Sequence, residues 1–190
     1  FPLVQSTHFS GGILFDRNRF QFEIQAYFKD FEGLSSYSPS FGDSKEEDFF
    51  NEGTGIAKGV DILVKKRWKK YNTWLSYSLS EVLYNFENIN EGNSFSAPHD
   101  RPHAITWMHI MNHNNWQFSI AWNYASGKPY TVAETIEEIP DGDEIEFVPE
   151  YQELNQWRLP DYHRLDGSIL YKFASQKSRF QGLVGLSILN

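Results

Sequence analysis

From Asn115 to Tyr130 the chain reads Asn-Trp-Gln-Phe-Ser-Ile-Ala-Trp-Asn-Tyr-Ala-Ser-Gly-Lys-Pro-Tyr. The even positions Trp116, Phe118, Ile120, Trp122 and Tyr124 are large; the odd positions Gln117, Ser119, Ala121, Asn123 and Ala125 are small or polar. Successive side chains of a strand point to opposite faces, so this stretch has one wide aromatic face and one slim, hydrophilic one. A soluble sheet would bury the aromatic face. A barrel wall in a membrane would turn it to lipid and the other face to a wet lumen.

The pattern recurs along the chain. Residues 6–15 alternate, with Thr7, Phe9, Gly11, Ile13 and Phe15 on one side, and Asp16-Arg17-Asn18-Arg19 has the composition of a tight turn. A return strand sets Phe20, Phe22, Ile24, Ala26 and Phe28 against Gln21, Glu23, Gln25, Tyr27 and Lys29, then fades through Gly33 into a polar connection over about 38–53. Strands are expected at about 54–67 and 73–86, turning at Lys69-Lys70-Tyr71-Asn72, with a polar connection over 87–100. A strand at about 102–111 mixes apolar and polar residues on both faces, and Asn112-His113-Asn114-Asn115 turns it into the stretch described first. After a long connection over 131–158, strands at 163–173 and about 180–188 flank a turn at 174–178.

Eight strands are thus joined by connections that alternate short, long, short, long. Charge follows the same rhythm. The long connections hold 17 of the 25 acidic residues, and the short turns and their flanks hold 10 of the 17 basic ones. Phe15, Phe20, Trp68, Tyr71, Trp74, Trp116, Phe173 and Phe180 crowd the short-turn ends. Short turns on one rim, long loops on the other and an aromatic girdle are the layout of an outer-membrane barrel. Composition agrees: 17 % aromatic residues coexist with a mean hydropathy of −0.53, as expected where half of each strand faces lipid and half faces water. No apolar run approaches the roughly 20 residues of a membrane-spanning helix. A net charge of −8 argues against a nucleic-acid partner, and the absence of cysteine excludes disulfides, cysteine-ligated metals and thiol nucleophiles.

Several pieces, in order, resemble the C-terminal barrel region of TonB-dependent outer-membrane receptors, especially those of Bacteroidetes-type bacteria. They are Gly55-Ile-Ala-Lys-Gly-Val-Asp61, Trp74-Leu-Ser-Tyr-Ser-Leu-Ser80, Asp100-Arg-Pro-His103, Ser126-Gly-Lys-Pro-Tyr-Thr131, Arg158-Leu-Pro-Asp-Tyr-His-Arg-Leu-Asp166 and Gly185-Leu-Ser-Ile-Leu-Asn190. The resemblance implies an all-β antiparallel meander, about eight strands of a 22-stranded barrel in the bacterial outer membrane, with short periplasmic turns and long extracellular loops. It implies energised uptake of a scarce nutrient such as a ferric siderophore, cobalamin or a glycan. The TonB complex would act through a plug domain. Lipopolysaccharide and an accessory surface lipoprotein are further expected partners. Residues 1–190 are then expected to be one partial domain, with the plug and the final strands lying elsewhere. A complete small barrel and a secreted carbohydrate-binding β-sandwich are the competing readings.

No enzymatic chemistry and no cofactor are expected: no nucleophile elbow or phosphate-cradling glycine loop occurs. His99, His103, His109 and His113 share odd numbering, but a strand of that length spans about 45 Å, so no metal site is expected of them. Asp141-Gly-Asp-Glu-Ile-Glu146 has carboxylate density without the spacing of a defined calcium loop. Arg164 and Asp166 share one face of a strand and are expected to form a structural ion pair on the lumen side. For ligand capture the candidates flank the third long connection: Tyr151, Trp157, Arg158 and Tyr162, flat apolar surfaces beside a fixed positive charge.

Overall fold

A computed structural model describes residues 3–37, 50–132, 135–141, 144–150, 153–174 and 181–190. Among these described residues are thirteen strands: β1 (Gln5–Arg17), β2 (Phe20–Tyr37), β3 (Phe50–Arg67), β4 (Tyr71–Phe86), β5 (Phe95–Ser96), β6 (His103–His113), β7 (Trp116–Ala125), β8 (Pro129–Tyr130), β9 (Thr135–Asp141), β10 (Glu144–Glu150), β11 (Trp157–Arg158), β12 (Tyr162–Ala174) and β13 (Gln181–Ile188). The eight long strands β1, β2, β3, β4, β6, β7, β12 and β13 pair antiparallel in chain order to make one sheet, with β5 attached to β4. This is the all-β meander of a barrel wall. The sheet is open, for β1 and β13 are not hydrogen-bonded neighbours. Eight strands closing on themselves as a small barrel are therefore not what forms.

Turn chemistry fixes the register. Asn18 and Arg19 both have positive φ (52° and 64°), the conformation of a two-residue hairpin whose twist matches its flanking strands, and Arg17 pairs with Phe20 across it. Asn114 (φ 52°) does the same work between β6 and β7, where His113 pairs with Trp116.

That register lines up the main apolar rows of the strands on one face. Paired residues run Ile13–Ile24, Ile24–Ile62, Ile62–Tyr77, Tyr77–Ile105, Ile105–Tyr124 and Tyr124–His163 from β1 to β12. Because a one-residue slip would flip a whole strand, this alignment is a strong constraint. The face is uncovered: Phe9, Ile13, Phe28, Leu75, Trp116, Ile169 and Leu186 are all exposed. Among the described residues the only buried apolar side chains are Ala57, Phe86, Phe95, Ala97 and Ala125. A β-sandwich would pack such rows against a second sheet across a dry core. The two other sheets among the described residues are two-stranded loop ladders, so the sandwich reading fails.

The opposite face carries Gln25, Asp61, Ser78 and Asn123, and its polar groups bond to one another. Ser78 donates to the Asp61 carboxylate, and Thr106 Oγ1 donates to Asn123 Oδ1 at 3.0 Å. Tyr27 lies across Gly59, where an added Cβ would sit 2.6 Å from its hydroxyl; only glycine admits the ring there. Trp74, Met108 and Ile110 are apolar exceptions on this face, which is why the sequence of β6 reads as mixed. Trp74 pairs with Lys65 and Met108, so it is not part of the outward girdle expected of it. Phe180, also expected there, lies outside the described residues, as does most of the 174–178 turn.

Two further expectations need correction. β2 does not end near Gly33: the pairing with β3 shifts between Phe31 and Leu34, Gly33 takes φ 72°, and the ladder resumes to Tyr37–Phe50. A bulge with a left-handed glycine re-aims a strand without ending it. At 18 residues each, β2 and β3 exceed the roughly 9–11 residues that cross a bilayer. Nor is the 131–158 connection structureless. β9 pairs β10 from Thr135–Glu150 to Asp141–Glu144, and β8 pairs β11 below it. Dense carboxylates mask the short Ile136/Ile139 and Ile145/Phe147 pattern in the sequence.

Candidate functional site

The long-loop rim is held by a polar cluster built from three of the motifs singled out in the sequence. Asp100, 1 % exposed, sits in the connection between β4 and β6. Its Oδ1 accepts from the Val82 amide at 2.8 Å and its Oδ2 from Arg158 Nη2 at 2.5 Å. Arg158 Nη1 also donates to the carbonyls of Asp100 and Gly127 at 3.3 and 3.2 Å. A guanidinium fork suits this convergence of carboxylate and carbonyl oxygens, and the pairing neutralises a carboxylate that burial alone would penalise.

The rest of the cluster ties the same segments together. The Ser126 amide donates to the His103 carbonyl, and its hydroxyl accepts from the His103 amide at 3.1 Å. At Gly127 an added Cβ would lie 1.6 Å from the Leu159 carbonyl oxygen, so a close backbone approach excludes any side chain. Asp161 accepts from the Tyr124 hydroxyl at 2.7 Å and from the Gly127 amide at 3.2 Å. These two bonds, the tyrosine's first, hold its carboxyl below the usual aspartate range. Asn90 and Leu154 bond reciprocally, and Asn155 Nδ2 donates to the Ser96 carbonyl at 2.7 Å, joining the second loop to the third.

Of the residues expected to capture ligand, Trp157 and Tyr162 are 56 % and 48 % exposed. Trp157 pairs with Tyr130, itself exposed, across β8–β11. Arg158 spends its donors on Asp100, on two carbonyls and on Ser96 Oγ, so its immediate task is to brace the loops. Tyr151 lies outside the described residues. Arg164 Nε reaches both Asp166 oxygens, at 3.0 and 2.8 Å, on the face opposite the apolar rows. The role of Asp100 does not show in the sequence. Its only sequence signal was its place in Asp100-Arg-Pro-His103, because a lone aspartate in a loop reads as solvated.

The histidines go separate ways. His103 Nδ1 bonds the Tyr77 hydroxyl at 2.9 Å, His109 packs against Tyr71 and Trp107, and His99 meets the edge of Tyr84. Among the described residues no three histidine, aspartate or glutamate side chains converge as a metal site would need.

A family model described as TonB dependent receptor-like, beta-barrel, matches residues 4–190. No curated protein matches the chain. The match takes in every strand of the sheet, and the uncovered apolar face is what such a wall presents to lipid. The chain belongs to the TonB-dependent receptors and forms β-barrel wall of an outer-membrane receptor.

Proposed function

We propose that this wall belongs to a receptor for energised uptake of a scarce nutrient, such as a ferric siderophore, cobalamin or a glycan, driven by TonB acting through a plug domain. The observation that carries the reading is the braced loop pair. Arg158 and Asp100 fix the base of the third long loop, and Trp157 and Tyr130 stand exposed just beside it. Rigid aromatic surfaces on a fixed loop base lose little entropy on binding, which suits capture of a dilute ligand. Tyr162 lies on the same face of β12 as Arg164 and Asp166, and we assign it and Tyr151 to the same capture surface. In this reading Arg158 acts on the ligand indirectly, by holding its neighbour in place.

The test is nutrient-limited growth of a strain relying on this receptor, with labelled ligand binding to whole cells. Trp157→Ala should weaken ligand binding about tenfold while leaving the amount of folded receptor in the membrane unchanged. If Trp157→Ala and Tyr162→Ala both bind and import like the parent receptor, this surface is not the capture site.

A further inference from the structure

At the opposite rim, cations are gathered rather than spread. The β1–β2 and β3–β4 turns lie side by side, the Arg67 amide donating to the Arg19 carbonyl at 2.9 Å. Arg17 and Arg19 occupy the first turn, and five of the six residues from Lys65 to Lys70 are cationic; the only carboxylate of the two turns is Asp16. Asp16 lies on the inward face, paired with Gln21. The next short turn, Asn112-His113-Asn114-Asn115, has no lysine or arginine. The ion pairs among the described residues are Lys58–Glu81, Arg158–Asp100 and Arg164–Asp166, so none engages these turns.

Beside the cations runs an open groove of about 550 Å³ lined by Trp68, Lys69, Lys70, Tyr71 and His109. Tyr71 and His109 stand on the outward, lipid-facing side of the sheet, their rings 5.8 Å apart. Lys66, on that same side, places its ammonium 5.5 Å from the Phe20 ring and 6.0 Å from that of Trp68. An even aromatic belt would need no such concentration of charge. Two chemistries meet here: an apolar trough open to the hydrocarbon, and ammonium groups at its mouth on the periplasmic rim.

We propose that this groove is a binding site for an anionic phospholipid of the periplasm-facing leaflet. An acyl chain would lie along Trp68, Tyr71 and His109, and the headgroup phosphate would sit between Lys66, Lys69 and Lys70. The apolar trough distinguishes this occupant from a free phosphate, which would gain nothing from it. The clustered charge distinguishes it from a zwitterionic lipid, since juxtamembrane lysines each favour an anionic surface by roughly fivefold.

The test is native mass spectrometry of the purified receptor in detergent with equimolar phosphatidylglycerol and phosphatidylethanolamine, the folded state of each variant being checked by heat-modifiable gel migration. The parent protein should retain phosphatidylglycerol over phosphatidylethanolamine by about tenfold. Lys66→Gln, Lys69→Gln and Lys70→Gln combined should bring the ratio close to one, and Trp68→Ala should lower retention of both lipids. Lys58→Gln, farther along β3, should leave the preference intact. Equal retention by the parent, an unchanged preference in the lysine variant, or an equal loss in Lys58→Gln would overturn the proposal. So would displacement of phosphatidylglycerol by millimolar inorganic phosphate, which would mark a bare anion site.

Discussion

Arg158 closes on Asp100 at 2.5 Å across 58 residues of chain, and the carboxylate it meets is almost wholly shielded from solvent. Removing one member of such a pair strands the other. Because Arg158 keeps about a third of its side-chain exposure, we expect a loss of about 2 kcal/mol, below the full penalty for a deeply buried pair. Asp100→Ala and Arg158→Ala should each raise hydrogen exchange at the Val82 and Leu159 amides by more than tenfold. The double variant should be little worse than either single one, as coupled residues require. Additive effects would show that the two side chains act separately.

Gly127→Ala tests the close approach to Leu159. The added methyl has no room unless backbone moves, so the variant should lose about 3 kcal/mol, at the upper end of overpacking costs. Limited proteolysis should then nick the chain near Lys128 and Leu159 while the rest of the barrel stays folded. An unchanged digestion pattern would contradict the packing described.

Asp161 sets a pH dependence. Its carboxyl is held below the usual range by Tyr124 and then by the Gly127 amide. A pKa lowered on folding gives stability that is present above the unfolded value, about 3.9, and is lost as pH falls through the folded one. The loop base should therefore be unaffected between about pH 5 and 7. Gly127 amide protection, corrected for intrinsic exchange, should fall only below about pH 4, and Asp161→Asn should remove that dependence. Loss of protection between pH 7 and 5 would assign the control to another group.

Lipid exposure makes an asymmetric prediction on one strand. Ile120 lies mid-strand on the outward face of β7 and Ser119 beside it on the inward face. Ile120→Arg should cost about 2–4 kcal/mol in a bilayer, and Ser119→Arg far less, measured by equilibrium unfolding in lipid. Equal costs would remove the distinction between the faces.

What was legible in the sequence was whatever has a period of two. The outward rows of β1–β4, β7 and β12 and the hairpins at Asn18-Arg19 and Asn114-Asn115 follow from alternation and turn chemistry alone. β6 was blurred because Met108 and Ile110 face inward. The β9–β10 hairpin was hidden by its carboxylates, and the run of β2 past Gly33 by a glycine that makes a bulge instead of a stop. The loop brace was the least visible feature. Nothing local distinguishes Asp100 from a solvated aspartate; its role depends on an arginine 58 residues away that only the folded sheet brings near. Arg158 stood out as a charge beside aromatics, and the fold turns that charge onto Asp100.

The orientation of the sheet in the membrane is open to direct measurement by a nitroxide scan of positions 116–125, one per variant, with the receptor in lipid bilayers. Even positions, those of Trp116, Phe118, Ile120, Trp122 and Tyr124, should be accessible to oxygen dissolved in the hydrocarbon. Odd positions should respond instead to a water-soluble nickel chelate. Even positions shielded from both reagents would mean that the aromatic face is buried in protein, and would contradict the lipid-facing wall on which the account rests.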